Sequence, residues 1–251
     1  MLIGCRIDAL DMNETLIEAE KSVLERRLCQ HVVVNVAKFV DMQKDTHLKE
    51  IVTSCDIVNA DGMPLVWASR ILGNPLPCRV TGVDLFFNLI ELCARKKYKP
   101  FFFGARQWVV EKVVLTFKEK YPDLQVAGYR NGYYFEDEER EIADQIKDSG
   151  ADMLFVGFSS PKKEYFLNTW MDYMQVPFCM GVGGSFDIVA GKSKRAPKWM
   201  QDYGLEWAYR IYQEPRRMWK RYAKTNPVFM WMVLKAWIKK RMNPISRSRG
   251  F

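Results

Sequence analysis

Asp61 is the strongest candidate for a catalytic residue in this chain. The sequence Asn59-Ala60-Asp61-Gly62 places a carboxylate at the end of a short predicted strand, beside a glycine that lets a ligand come close. A carboxylate at such a position could act as a general base toward a sugar hydroxyl. The alternative is an aspartate that turns the chain or caps the helix that Pro64 begins, and spacing alone favours this alternative.

A glycine-rich turn follows the apolar run 176–182 and leads into a basic, tryptophan-rich stretch. Gly183 and Gly184 would let backbone N–H groups approach a phosphate closely. Asp187 could accept hydrogen bonds from ribose hydroxyls, as acidic residues do in Rossmann sites. The alternative is an ordinary turn in which Asp187 caps a helix, and for the glycines alone we favour it because such motifs have many false positives.

Two further segments could contact a sugar or a phosphate. Asn35 ends the β-branched run and offers both a donor and an acceptor to sugar hydroxyls, although an Asx turn is equally consistent with its position. Arg79 could meet a phosphate, while Thr81 or Asp84 would cap the helix that follows.

Lys163 falls near the start of a predicted helix, where the helix dipole stabilises an anion. The segment runs from Gly157, at a strand end, through a short loop into the helix. Ser159 or Ser160 could cap that helix, with Glu164 completing a capping box.

The elements that position these residues alternate between strands and helices. Between residues 99 and 182 they follow one another at the pace of βαβ units, which predicts a parallel sheet with right-handed crossovers. The strands predicted there are 99–103, which Gly104 closes, 124–129, 152–156 and 176–182. The segments predicted before residue 99 are strands over 2–7, 31–36 and 56–60, and helices over 13–27, with Asn13 as a cap, over 39–55, over 64–72 and over 83–97.

Charge is distributed unevenly along the 251 residues. The net charge is +8, but residues 191–251 hold sixteen Lys or Arg and three Asp or Glu, so the remainder is mildly acidic. This asymmetry predicts a polyanionic partner, either nucleic acid or an anionic membrane. The basic residues are interleaved with apolar runs and no RNA or DNA motif is present, which disfavours nucleic acid.

The tail over 226–251 has the pattern of an amphipathic helix that lies in a membrane interface. Its apolar run, 228–234, is too short to span a bilayer. Prolines at 215, 227 and 244 are expected to interrupt the helical pattern. The alternative is a helix packed on the core. The predicted apolar side carries Trp231, Leu234, Trp237 and Ile238, and the predicted head-group side carries Lys235, Lys239, Lys240 and Arg241.

Cysteine and histidine usage argues against a metal site. The six cysteines include no Cys-x-x-Cys pair, and most read as small core residues of a reducing compartment. The two histidines join no cluster with metal-ligand spacing, and neither a P-loop nor an Asp-x-Asp motif is present. We therefore expect no metal and no cofactor. No signal-peptide pattern occurs, which predicts a cytoplasmic protein.

Several blocks together resemble the bacterial WecG/TagA/CpsF glycosyltransferases (glycosyltransferase family 26). They occur in the family's order over roughly residues 30–222. The matching blocks are 59–64 (Asn-Ala-Asp-Gly-Met-Pro), 79–84 (Arg-Val-Thr-Gly-Val-Asp), 161–164 (Pro-Lys-Lys-Glu), 181–187 with 191–199, and 206–217.

The resemblance implies an inverting, metal-independent transfer of a sugar from a UDP-sugar to a polyprenyl-diphosphate-linked saccharide in surface polysaccharide synthesis. It implies an α/β fold. A Rossmann-like parallel sheet with helices on both faces would form a core over 1–195, and a helical, basic appendage would cover 196–251. The protein would be peripheral on the inner face of the plasma membrane, with a homo-oligomer possible. A membrane-associated nucleotide-binding regulatory module without transferase activity is the rival interpretation.

The resemblance also assigns roles to single positions. Asp61 matches the proposed base, Asn35 a sugar contact and Asp187 a ribose contact. The further donor-side positions are Arg79, Gly104, Lys163, Gly183 and Gly184, and the positions toward the lipid diphosphate are Arg210, Arg217 and Arg221. Two departures leave the donor sugar open, because the family usually has Gln where Lys163 stands and often Thr where Val33 stands.

Overall fold

Six parallel strands form one sheet in the computed structural model, which describes residues 1–242. All five strand pairings are parallel, so every strand ends at the same edge of the sheet, here called the carboxyl edge. This confirms the α/β fold class. In the order β2-β1-β6-β5-β3-β4, the strands are β1 (Cys29–Val34), β2 (Ile57–Ala60), β3 (Pro100–Gly104), β4 (Gly128–Arg130), β5 (Met153–Gly157) and β6 (Phe178–Gly181).

Helices surround this sheet and connect its strands. The first six are α1 (Met12–Leu24), α2 (Val36–Asp41), α3 (Thr46–Ser54), α4 (Met63–Ile71), α5 (Gly82–Lys96) and α6 (Gln107–Lys120). The next six are α7 (Glu139–Asp148), α8 (Lys162–Met174), α9 (Ser185–Val189), α10 (Lys198–Asp202), α11 (Glu206–Gln213) and α12 (Pro215–Met242), with a 3-10 turn at Glu136–Glu138.

Alternate residues of the central strands pack on opposite faces of the sheet, so these strands are apolar throughout. Phe102 and Phe155 belong to the cluster beneath α1, α5 and α6, whereas Phe103 and Leu154 pack against α7 and α8. The ring of Phe86 in α5 meets that of Phe155 edge to face at 4.9 Å. Helices therefore cover both faces of the sheet, as predicted.

Two predictions near the amino terminus are wrong. The segment 2–7 forms no strand but only an isolated antiparallel bridge. Asp11, not Asn13, caps α1, because the Asp11 carboxylate accepts a bond from the Glu14 amide at 2.9 Å. Glu14 in turn accepts from the Asp11 amide, which completes a capping box.

The helix predicted over 39–55 is two helices. Asp45 ends the turn after α2 and caps α3, since its carboxylate accepts from the Leu48 amide at 2.9 Å. An aspartate inside a helix competes with the backbone for hydrogen bonds, and here it starts a new helix instead.

Helix α12 runs unbroken through Pro227, so the predicted interruption there is wrong. Proline lacks the N–H that would bond the carbonyl four residues earlier. Burial of Phe229 offsets this loss, because its ring packs edge to face on Phe39 of α2 at 5.4 Å. Pro244 lies outside the described residues.

The outer half of α12 has one packed side and one exposed side. Met232 and Trp237 are partly buried against the core around β1 and β2, whereas Trp231, Leu234 and Ile238 are exposed. Trp237 thus departs from the predicted apolar side, and the packed-helix interpretation is correct for the inner side. No helix within residues 1–242 is both long and apolar enough to cross a membrane.

Candidate active site

The carboxyl edge brings together the candidate residues that follow neighbouring strands. Asp61 follows β2, Asn35 follows β1, and the Gly183-Gly184 turn follows β6. Adjacent strands lie about 4.8 Å apart, so the ends of β2 and β6 are separated by about 10 Å. Ligands of open α/β sheets bind at this edge, which makes it the candidate active site.

The Asp61 carboxylate does not cap a helix. The Asp61 amide donates to the Val34 carbonyl at 2.8 Å and so extends the pairing of β1 and β2 by one residue. Gly62, with φ of +126°, is the N-cap of α4, and no side chain caps that helix. Among residues 1–242 the Asp61 carboxylate has no hydrogen-bond or ion-pair partner. The alternative of a capping aspartate is therefore wrong.

Burial raises the pKa of the Asp61 carboxyl above its ordinary value of 3.8. The positive charges of Arg210 and Arg79 act against this rise, and the negative charge of Glu206 adds to it. A carboxylate with a raised pKa is a stronger base, which suits the removal of a proton from a hydroxyl.

Arg79 joins the core to the helices that follow residue 195. Its guanidinium donates to a carboxylate oxygen of Glu206 in α11 at 2.6 Å and to the backbone carbonyl of Gln201 in α10 at 2.6 Å. A charge-assisted pair of this kind fixes geometry as well as adding energy. A contact between Arg79 and the donor diphosphate stays a prediction.

A second ion pair lies beside the first. Thr81 caps α5 by accepting from the Asp84 amide at 3.3 Å. Asp84 is therefore not the cap, and it binds both terminal nitrogens of Arg195 at 2.5 and 2.6 Å. Burial would raise the pKa of Asp84, but the bonds from Arg195 and Thr81 hold it below its ordinary value.

Asn35 is the N-cap of α2, so its side chain has a local structural role, but the Asx turn, which would bind the amide two residues on, does not form. Its side-chain oxygen accepts from the Lys38 amide at 3.1 Å. The cap fixes the start of α2 and so directs the Lys38 side chain into the protein, where it is buried. A contact between Asn35 and the donor sugar stays a prediction.

Glu164 turns into the protein and does not form a capping box. Helix α8 begins at Lys162 with Pro161 at its N-cap and without a side-chain cap, so the prediction of Ser159 or Ser160 as a cap is wrong. The Glu164 carboxylate instead accepts from Lys38 at 2.6 Å and from Lys163 at 3.1 Å.

Glycines fill positions at this edge that other residues would strain. Gly104 has φ of +141°, and a Cβ there would lie 2.6 Å from the Gly157 backbone. Gly183 has φ of +54°, a conformation that favours glycine. These constraints are steric, and the proposed contacts of Gly104, Gly183 and Gly184 with a nucleotide stay predictions.

Asp187 lies in the first turn of α9 and does not cap that helix, whose N-cap is Gly184. Its carboxylate pairs with the Lys192 ammonium at 2.9 Å. Because both side chains are partly exposed, this pair contributes little to stability and would exchange readily for a ligand. A contact between Asp187 and ribose stays a prediction.

Helices α11 and α12 bring arginines toward the same edge. Arg210 and Arg221 are exposed. Their positive charges nevertheless act on groups of the site, because Arg210 lowers the pKa of Asp61 and Arg221 lowers the pKa of Lys163. Arg217 pairs with Glu214 at 2.6 Å. Arg210 and Arg221 therefore add positive charge on the exposed side of the site, here called its opening, as a diphosphate would require.

Comparison with known proteins decides the family. The model of the "Glycosyl transferase WecG/TagA/CpsF family" matches residues 1–243. The chain belongs to this family. It is therefore a glycosyltransferase.

Three relatives of this glycosyltransferase carry one name, "N-acetylglucosaminyldiphosphoundecaprenol N-acetyl-beta-D-mannosaminyltransferase". The Bacillus spizizenii protein is 34% identical over 195 residues, which cover 78% of this chain and 74% of the relative. The Bacillus subtilis protein is 35% identical over 192 residues, which cover 76% of this chain and 73% of that relative. The Staphylococcus aureus protein is 32% identical over 189 residues, covering 74% and 72%.

Three residues of the candidate site received no role from the sequence. Lys38 could have been noticed as a lone charge in an apolar segment, and Glu206 belongs to a block used only for the family match. Tyr222 is half-buried beside Trp207, with ring centres 6.3 Å apart. Burial raises the pKa of Tyr222, while the charges of Arg210 and Arg221 lower it. The charge of Asp61 also acts on Tyr222, so Tyr222 belongs to the surroundings of the candidate site.

Proposed function

We propose that this glycosyltransferase moves a sugar from a UDP-sugar to a polyprenyl-diphosphate-linked saccharide at the inner face of the membrane, with Asp61 as the general base. The observation that carries this proposal is the position of Asp61 at the carboxyl edge: its half-buried carboxylate has no protein partner among the described residues and is acted on by the charges of Arg210 and Arg79. The names of the relatives support an acceptor that carries N-acetylglucosamine on undecaprenyl diphosphate.

The mechanism is a single displacement that inverts the anomeric carbon. Asp61 accepts the proton of the acceptor hydroxyl as its oxygen bonds to the anomeric carbon. The bond from that carbon to the diphosphate breaks, and UDP leaves with the electron pair. Arg210, Arg221 and the amides of the Gly183-Gly184 turn would stabilise the growing negative charge.

Transfer of label from a UDP-sugar to a lipid-linked acceptor tests this function. The name of the relatives makes UDP-N-acetylmannosamine with polyprenyl-diphosphate N-acetylglucosamine the first pair to try. A panel of UDP-hexoses and UDP-uronic acids should follow with the same acceptor. Binding of UDP-sugars without transfer to any acceptor would favour the regulatory module instead.

Activity should persist in excess chelator. Within residues 1–242, no three His, Cys, Asp or Glu side chains are grouped so that they could hold a metal ion. The arginines at the site opening would supply the positive charge that a metal otherwise gives to a departing diphosphate. Initial rates measured with chelator, with magnesium and with manganese should agree within about twofold. Strict dependence on an added metal ion would contradict this expectation.

The exposed side of α12 should bind the enzyme to anionic bilayers. Replacing Trp231, Leu234 and Ile238 together by Ser should weaken flotation with anionic vesicles at least about tenfold, because burying one large apolar side chain is worth about 1.5–3 kcal/mol. These substitutions are preferable to truncation after residue 225, which would also remove Phe229 from its contact with Phe39.

A matched control removes exposed apolar side chains elsewhere. Ile17, Leu24 and Leu115 are exposed on α1 and α6, and their replacement by Ser should leave flotation unchanged. Raising the salt concentration should weaken flotation of the unaltered protein, because the neighbouring lysines contribute about 1 kcal/mol each near an anionic surface. Equal flotation of both triple variants would show that the exposed side of α12 is not the membrane contact.

A further inference from the structure

Lys38, Glu164 and Lys163 form a buried group with a net positive charge, here called the Lys-Glu-Lys cluster. Both ammonium groups bind the same oxygen of Glu164, Oε1, at 2.6 Å for Lys38 and 3.1 Å for Lys163. The side chains are 5%, 2% and 9% exposed in the order Lys38, Glu164, Lys163. One carboxylate thus faces two ammonium groups almost out of contact with water.

This stoichiometry exceeds what a structural ion pair requires. A buried charge without a counter-charge costs several kcal/mol, so a second buried lysine is expensive unless it has another function. The two ammonium groups carry six N–H donors, and both direct their recorded side-chain bond to Oε1. The second oxygen, Oε2, is buried without a partner among the residues that the structure describes. That oxygen is an acceptor and needs a donor, so it does not itself favour an anion. The capacity to bind an anion comes from the net charge of +1 and from the ammonium N–H groups beyond the two bonds to Oε1.

The cluster lies at the carboxyl edge, beside the proposed base. The stem of Lys163 crosses the end of β6, because a Cβ on Gly181 would lie 2.6 Å from its Cδ. The charge of Lys38 lowers the pKa of Asp61, which places Lys38 near that carboxylate. Arg221 acts on Lys163 from the other side. An anion bound by Lys163 would thus share one site with Asp61.

We propose that Lys163 binds a carboxylate of the donor sugar, so that this enzyme uses a UDP-uronic acid in preference to the neutral UDP-hexose. The inference rests on the proposed function. The exposed Arg210 and Arg221 at the opening suit the diphosphates, whereas the buried cluster lies deeper, where the sugar end of the donor would sit. A diphosphate oxygen is the other anionic group of the substrates that the same chemistry would accept.

Calorimetric titration of the full chain without acceptor tests the proposal and separates these two anions. The probes are UDP alone and matched pairs that differ only at C6: UDP-glucuronic acid with UDP-glucose, UDP-galacturonic acid with UDP-galactose, and a 2-acetamido uronate with its N-acetylhexosamine. The variants are Lys163→Gln and, as a control, Lys118→Gln at an exposed position on α6. Burial lowers the pKa of Lys163 to about 8, which is still above 7, so at pH 7 most Lys163 side chains carry their charge.

In at least one pair the uronate should bind the unaltered protein about thirtyfold or more tighter than its neutral partner, the range expected for a buried charge pair. Lys163→Gln should abolish that preference and leave UDP affinity unchanged, and Lys118→Gln should change neither. Thermal melting should show that Lys163→Gln folds normally, since it leaves the Lys38–Glu164 pair intact.

Three results would overturn the proposal. If the neutral sugar binds as well in every pair, the cluster does not select a carboxylate. If Lys163→Gln weakens UDP as much as the uronates, the anion is a phosphate. If UDP and all UDP-sugars fail to bind, the proposed function itself is wrong, which distinguishes that failure from the first two.

Discussion

Asp61→Asn should lower turnover at least about a hundredfold, within the range for loss of a general base. The amide has the shape of the carboxylate but cannot remove the proton from the hydroxyl group of the acceptor saccharide. Folding should survive, because the Asp61 carboxylate has no partner in the described part of the chain that the substitution would break. The measurement is the rate of label transfer to the lipid-linked acceptor, together with donor affinity and thermal melting.

The acid side of the pH profile should report the same carboxylate. Burial raises the pKa of Asp61 above 3.8, and only the ionised form can take a proton, so turnover should fall as pH falls through that raised value. The control is Asp172→Asn, which removes an exposed carboxylate on α8 and should leave turnover unchanged. Near-normal turnover of Asp61→Asn would exclude Asp61 from the mechanism.

Glu164→Gln should lower the free energy of unfolding by about 3–5 kcal/mol, the cost of leaving buried charge without its partner. The substitution removes the one carboxylate that binds both Lys38 and Lys163. Urea denaturation followed by circular dichroism gives the measurement. Lys163→Gln is the matched control, because it removes one cation from the same cluster and should not destabilise the fold.

Stability of the Glu164→Gln variant should recover in part as pH rises from 7 to 9. In the folded protein the pKa of Lys163 is already about 8, against 10.5 for an ordinary lysine, because burial disfavours the ammonium form. Between those values the unfolded chain binds more protons than the folded chain, so this group adds stability with increasing pH. Loss of the Glu164 charge lowers the pKa of Lys163 further. In the variant, the gain in stability with increasing pH therefore begins at a lower pH. A loss under about 1 kcal/mol that does not vary with pH would show that the cluster is hydrated and its charges are not coupled.

The sequence anticipated the sheet well because strand signals are local. Runs of apolar residues that end in a glycine or a short polar residue predicted six of the strands to within a few residues, including the end of β2 beside Asp61. The segment 2–7 has a similar apolar character, but Leu2 and Cys5 bond to each other and form an isolated bridge. Just beyond it, Asp8 donates a backbone bond to Val58 of β2, but no strand forms there. Whether an apolar segment becomes a strand depends on a partner strand with which it can pair, and the local sequence does not specify that partner.

Helix caps were harder to predict, since several polar residues near a helix start compete for the same amide. Asp11 replaced Asn13 at α1, and Thr81 rather than Asp84 capped α5. In each case the capping residue has an extended backbone, which lets its side-chain oxygen accept a hydrogen bond from the amide of the third helical residue.

The sequence by itself determined where each strand ends, hence that Asp61, Asn35 and the Gly183-Gly184 turn share one edge. It also identified the family through the order of its motifs. Only the tertiary structure decided which charges meet. Lys38 and Glu164 are 126 residues apart, and Arg79 and Glu206 are 127 apart. The hydrophobic pattern of a segment predicts which of its side chains are buried, but not the surface against which they pack. The partners of buried charges and the inner side of α12 therefore emerge only when distant segments are brought into contact.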